Sequence, residues 1–346
     1  MEAGAMNTNI KIVLVCVVMI LAFTVVSMAG SERRIGTCGA QELRIPIGSR
    51  GTALGGAISA DVYGTEAIFY NPAGVALVEG TEAMFSHLKY FADIDLNYFA
   101  ITRSIEDFGS VGFSAKVLSV GKIDKTTEFD EFGTGEVFNP TMAVIGMTYS
   151  KILTDRVTFG VTGKYINESI DLASANGLAF DFGINYDTKW KGLRLGFVLN
   201  NIGPEMHFEG PGFDRDASGE GQNPGSPDKT FRSRSASFEI PSWLEFGAAF
   251  DFMNMDMNRA SFYGAFQNNN FSKDLYRAGV EYAYNERYFA RLGYTLDSHQ
   301  EDYLYGFTVG GGLMVKIGET DVTFEYSWNQ TEFFDNNQYF TGKINF

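Results

Sequence analysis

Histidines are the natural place to look for chemistry, since imidazole is the commonest metal ligand and a frequent general base. His87, His207 and His299 fall in separate segments, and none of them has the spacing of a metal site. Ser298 precedes His299, but a nucleophile and its base must meet in space, and adjacency in sequence does not make them a pair. Asp214, Asp216 and Glu220 offer oxygens to a hard cation without completing a calcium-loop pattern. Gly310-Gly311-Gly312 lacks the Gly-Lys-Ser/Thr of a phosphate loop and reads as close packing inside a strand. Cys16 lies in an apolar run, which leaves Cys38 without an intrachain partner once that run is removed. The expectation is a protein that is not an enzyme and holds no metal or cofactor.

Composition narrows the class. The 346 residues carry 42 acids against 27 bases, a net charge of -15, whereas neutralising phosphates requires Lys/Arg-rich faces, so nucleic acid is not expected as a partner. Gly (39), Phe (31) and Tyr (17) are abundant while mean hydropathy is only -0.08, so the aromatics are diluted by polar residues. A helical membrane protein would need several apolar runs of about 20 residues. Only Ile12 to Ala29 forms a long one. It follows Lys11 and ends in Ser27-Met28-Ala29, the small, any, small pattern of a signal-peptidase site. Residues 1–29 therefore read as a cleaved signal peptide, in preference to a retained anchor, and the protein as exported across the inner membrane.

From Thr81 onward the chain divides into segments with period-two alternation. Val157, Phe159, Val161 and Tyr165 alternate with Thr158, Gly160, Thr162 and Lys164, and Val322, Phe324, Tyr326 and Trp328 with Thr323, Glu325, Ser327 and Asn329. Strands are expected near 82–90, 93–103, 108–118, 141–151, 156–169, 176–187, 191–202, 242–253, 258–268, 274–284, 287–297, 303–317, 320–331 and 336–346. That is fourteen, an even number. Short connections recur, whereas 119–140 and 203–241 are long, as in barrels with short periplasmic turns and longer outer loops. All eight prolines fall outside strand interiors, where they would remove a ladder hydrogen bond. A soluble β-sandwich shows the same alternation, but its strands average about five or six residues, and a tilted membrane strand needs about ten. Phe340, Ile344 and Phe346 on one face match the C-terminal aromatic signature of outer-membrane barrels. The expected fold is all-β: a 14-stranded antiparallel transmembrane β-barrel over residues 81–346, located in the outer membrane with lipid around it.

The other face of these strands carries Lys164, Arg194, Glu245, Asp251, Arg277, Glu281, Arg291 and Glu325. A Lys or Arg facing lipid at mid-depth costs about 2–4 kcal/mol, so these charges are expected to face the lumen. Gly160, Gly183, Gly196, Gly247, Gly279 and Gly293 share that wall. Side chains alone do not fill a barrel this wide. Residues 30–80 are the candidate for an N-terminal hatch, or plug, in the lumen: residues 36–80 contain nine glycines, with short helix-like pieces expected at Ala57 to Tyr63 and Thr65 to Tyr70. In Asn71-Pro72-Ala73-Gly74, Asn71 can cap a short helix whose first position is Pro72, where the missing N–H and fixed φ of proline suit the site.

The stretch Gly51-Thr52-Ala53-Leu54-Gly55-Gly56-Ala57-Ile58-Ser59-Ala60-Asp61, followed by Glu66-Ala67-Ile68-Phe69-Tyr70-Asn71-Pro72-Ala73-Gly74, resembles the N-terminal signature of the PorV/PorQ family within the FadL/TodX-like superfamily. Where that family often has paired acids followed by small residues, this chain reads Asp61-Val62-Tyr63-Gly64. The resemblance implies a fourteen-stranded barrel blocked by a hatch that bears the Asn-Pro-Ala motif. It also implies one of two activities. PorV-like members serve type IX secretion, binding the translocon or cargo with a C-terminal signal domain. FadL-like members take up fatty acids and other hydrophobic small molecules. Met206, Phe208, Phe213 and Phe231, on the long 203–241 connection, are the candidate outer-loop contacts for a protein partner or for the mouth of a lipophile pathway. The secretion role is the leading expectation, hydrophobic uptake the alternative, and a mainly structural barrel the third reading.

Overall fold

The computed structural model describes residues 34–217, 229–297, 305–332 and 334–346. The expected signal peptide, Glu220 and Ser298-His299 lie outside these residues. Fourteen strands form the wall: β1 Thr81–Lys89, β2 Asp95–Ile105, β3 Gly109–Ser119, β4 Thr141–Ile152, β5 Val157–Ile170, β6 Ala173–Asp187, β7 Leu193–Ile202, β8 Trp243–Met255, β9 Asn258–Asn269, β10 Leu275–Tyr284, β11 Tyr288–Asp297, β12 Tyr305–Ile317, β13 Thr320–Thr331 and β14 Asn337–Asn345. Each lies within three residues of its expected bounds, and the greatest difference is the start of β6. Each strand pairs antiparallel with its sequence neighbours. β1 pairs with β14 from Glu82↔Asn345 to Lys89↔Gln338, and this closes the ring and leaves no open sheet edge.

Period-two alternation decides which side chains meet lipid. Phe85, Phe99, Tyr165, Phe262, Phe324 and Phe340 are exposed on the outer face, while Ser86, Thr102, Thr162, Ser261 and Thr341 are buried on the other. No helix among the described residues is long and apolar enough to cross a membrane. Turns at one end of the barrel are all short. At the other end the two long connections, 120–140 and 203–242, stand among shorter ones, of which Asp171-Leu172 between β5 and β6 is the tightest. The β7–β8 connection folds back over that turn: Gly212 N–H donates to the Leu172 carbonyl at 3.1 Å, and Phe208 pairs with Ala175.

The chain preceding β1 packs on the polar face of the wall. Within that chain, helix α1 spans Ser49–Ala53, helix α2 spans Ala67–Tyr70, and Pro72–Leu77 forms a 3₁₀ turn. The helical piece expected at 57–63 is instead a run of turns. Gly55 and Gly56 take φ of +65° and +80°, which ends α1 and leaves only isolated bonds such as Ala57 N–H to the Leu54 carbonyl at 3.1 Å. Buried Leu54, Ala57, Ile58, Val62 and Ile68 form one core with Met84, Tyr263 and Tyr339 of the wall.

The wall glycines explain how the backbone comes so close. A Cβ at Gly160 would overlap Pro72, and one at Gly183 the Asn71 side chain. One at Gly196 would meet Ser59, and one at Gly293 would meet the Leu54–Gly55 peptide.

Candidate functional site

The Asn-Pro-Ala-Gly tetrapeptide is buried whole. Asn71 is extended, and its Oδ1 accepts the Ala73 N–H at 3.1 Å with Pro72 at the first helical position. Its Nδ2 donates to the Ser59 carbonyl at 2.7 Å, so one side chain ties two parts of the segment together beside β6. At Gly74 a Cβ would overlap the Val62 carbonyl, which accounts for the glycine.

Beneath this segment the predicted wall charges join a connected ion network. Glu281 is its hub: Arg291 lies 2.7 Å away, Arg259 3.0 Å and Arg50 3.3 Å. Arg291 continues to Glu325 at 2.7 Å, and Lys343 bridges Glu325 at 3.0 Å to Glu66 at 2.9 Å. On the far side Asp61 sits 3.4 Å from Arg50 and 3.0 Å from Arg194, which also holds Asp251 at 2.8 Å. Burial pushes the Asp61 carboxyl up even though Arg50 and Arg194 pull it down, so desolvation outweighs pairing at that position. Lys164 pairs separately with Asp181, and Glu245 with Arg277 at 3.1 Å. Arg50, Asp61 and Glu66 belong to the N-terminal segment and the others to the wall, so the network fastens one to the other.

Towards the end with the long connections lies a cavity of about 500 Å³. The N-terminal segment contributes Glu42, Ile45, Phe69 and Tyr70, and the wall contributes Leu118, Met142, Trp243, Gln267 and Arg277. Burial, followed by the neighbouring Glu168 carboxylate, pushes the Glu42 carboxyl up to about 7. The folded protein then keeps a proton on Glu42 that the unfolded chain releases, so stability is expected to fall as pH rises from the ordinary value of 4.5 through about 7. Thermal unfolding midpoints followed from pH 5 to pH 8 should show this decline, and Glu42→Gln should flatten it. An equally steep decline in the variant would assign the dependence to another group.

The three outer-loop phenylalanines and Met206 do not share one surface. Met206 is buried against Ala40, Leu43, Ile166 and Ile240, and exchanges backbone hydrogen bonds with Phe238. It is a packing residue and is not available to a partner. Phe208 is half-buried against the same cluster, Phe213 is half-buried, and Phe231 is 50% exposed. Asp214, considered above for calcium, is held by Arg232 at 2.6 Å. Among the described residues no group of three or more His, Cys, Asp or Glu side chains could hold a metal ion.

Sequence reasoning passed over Arg50, Arg259, Lys343 and Glu42. Lys343 could have been found, since it alternates onto the same face as Thr341. Arg50 lies in the five-residue helix α1 and Glu42 in a four-residue 3₁₀ turn, each too short for periodicity to assign a face.

Fold and site together define a fourteen-stranded transmembrane β-barrel of outer-membrane type, with a segment packed on its polar face beside a cavity. No family model matches the chain, and no curated protein matches it. Solved structures share the fold. The toluene transporter TodX of Pseudomonas putida superposes with a TM-score of 0.54 at 13% identity, over 85% of this chain and 96% of that one. The monoaromatic hydrocarbon channel CymD gives 0.53 at 12% identity, over 86% and 96%. A FadL homologue of Pseudomonas aeruginosa gives 0.50 at 13% identity, over 87% and 98%. What these structures share with this chain is the fold.

Proposed function

We propose that this chain is a passive outer-membrane channel for hydrophobic molecules, the alternative of the two activities weighed above. In this reading residues 1–29 are removed on export, residues 30–80 act as a hatch in the lumen, and 81–346 form the barrel. The observation that carries it is the cavity of about 500 Å³ between the N-terminal segment and the wall, lined on one side by Phe69, Tyr70, Leu118 and Met142. The fold shared with a toluene transporter and a monoaromatic hydrocarbon channel supports the same reading. Half-exposed Phe231 would stand on the outer connection that leads towards the cavity.

Removing the gene should slow accumulation of radiolabelled toluene or oleate by intact cells several-fold at low external concentration, and the wild-type copy should restore it. Uptake unchanged for both compounds would count against the channel. The secretion reading draws its support from the 51–74 resemblance. Co-purification of a type IX translocon subunit or of signal-domain cargo from native outer membranes would favour it instead.

A further inference from the structure

The cavity has two chemically different sides. Six consecutive strands, β7 to β12, each turn one polar side chain to it: Asn200, Glu245, Gln267, Arg277, Thr295 and Thr308. Trp243 and Leu275 stand two residues nearer the long-connection end of β8 and β10. The opposite side, built from the N-terminal segment, the β1–β2 connection, β3 and β4, is mainly apolar, with Phe69, Phe91, Ile94, Leu118 and Met142, and its charged and amide groups Gln41, Glu42 and Arg44 all come from the N-terminal segment. The charged members of the polar arc offset each other, with Arg277 Nη1 3.1 Å from Glu245 Oε2. Thr295 and Thr308 donate to the Gly55 and Ala53 carbonyls at 3.1 and 3.0 Å, which fixes their hydroxyl oxygens as acceptors at the edge of the cavity.

An apolar ligand that filled this space would lay hydrocarbon against an arc in which Asn200 Oδ1, Glu245 Oε1 and Arg277 Nε have no hydrogen-bond partner among the described residues, and would leave them unsatisfied. A site built to hydrogen-bond rejects analogues lacking the matching group far more strongly than an apolar pocket rejects an added one. An anionic head would meet the Glu42 and Glu245 carboxyls beside two cations, of which Arg277 is paired with Glu245 and Arg44 donates to Ser272 Oγ at 2.8 Å. Resting on the channel reading above, we infer that the cavity is a binding site for neutral amphiphiles, molecules with an apolar body and a head bearing several hydroxyls. The body lies on the aromatic side and the head along β7 to β12.

The test uses the mature chain in lipid nanodiscs, with empty nanodiscs as control, and three probes of equal chain length: octyl glucoside below its critical micelle concentration, octane and octanoate. Each is titrated against bound diphenylhexatriene. Octyl glucoside is expected to bind at least about tenfold more tightly than either of the others. Thr308→Val, which keeps side-chain shape, and Gln267→Leu should each bring that ratio towards one, with folding checked by heat-modifiable mobility. Octane binding as tightly as the glucoside would overturn the inference and leave the channel reading standing. Octanoate binding tightest, with loss in Arg44→Gln, would overturn it in favour of an anionic amphiphile. No displacement by any of the three, together with unchanged cellular uptake, would remove both.

Discussion

Replacing Glu281 by alanine is expected to destabilise the barrel by about 3–5 kcal/mol, since it leaves a buried network with one carboxylate fewer than its guanidiniums require. The side chain is 1% exposed and answers three guanidiniums, of which Arg291 is 3% and Arg50 6% exposed. Its removal takes the shared carboxylate from three guanidiniums and leaves Arg291 to Glu325, Arg50 to Asp61 and Arg259 to Glu286. Arg50 is also the link to the N-terminal segment, so the segment should loosen before the strand ladder does. Urea titration of the purified barrel, followed by tryptophan fluorescence, would measure the loss. Arg232→Ala, which breaks the exposed pair with Asp214, should be indistinguishable from the parent in the same assay. A Glu281→Ala protein within about 1 kcal/mol of the parent would mean that the hub is hydrated and contributes little.

Gly160→Val should act on permeability more than on the barrel. Its side chain would overlap the Pro72 carbonyl and the Ala73 amide, which are backbone on both sides and cannot swing aside. Overpacking of this kind typically costs about 1–3 kcal/mol and is relieved by moving whichever element is less firmly held. The wall at Gly160 is fixed by ladders to β4 and β6, whereas Pro72 belongs to a short 3₁₀ turn. The segment should therefore be displaced. If residues 30–80 are a hatch, planar-bilayer recordings of the variant will show discrete conductance steps that the parent lacks. Gly160→Ala should show fewer of them. A correctly folded Gly160→Val barrel as tight as the parent would argue that the segment does not control the lumen.

Both effects depend on pairings of very different legibility. The strands were readable because each one carries its own evidence: Val157 to Tyr165 or Val322 to Trp328 alternates locally, and the alternation is imposed by the membrane on one face and polar contacts on the other. Their bounds shifted most at β6, which begins at Ala173 because its ladder with β5 runs down to Ile170↔Ala173, next to a two-residue turn. The six wall glycines were likewise visible as a column on one face. The helical piece placed at 57–63 failed for a local reason of another kind, since two consecutive glycines in left-handed conformation cancelled the propensity of the alanines that follow. Met206 was misjudged because a long polar connection gives no sign that one of its residues folds back into the wall.

The sequence by itself determined the closed antiparallel barrel, its strand bounds, which face meets lipid and which charges must avoid it. These follow from short-range periodicity and from the cost of exposing charge to hydrocarbon. Only the tertiary structure decided that Arg50 meets Glu281 across 231 positions, that Glu66 shares Lys343 with Glu325, and that a cavity with one polar and one aromatic side lies beside the N-terminal segment. Such contacts join short helices and turns to distant strands. Closing the ring and packing the segment against it set them, and no local pattern encodes where that packing falls.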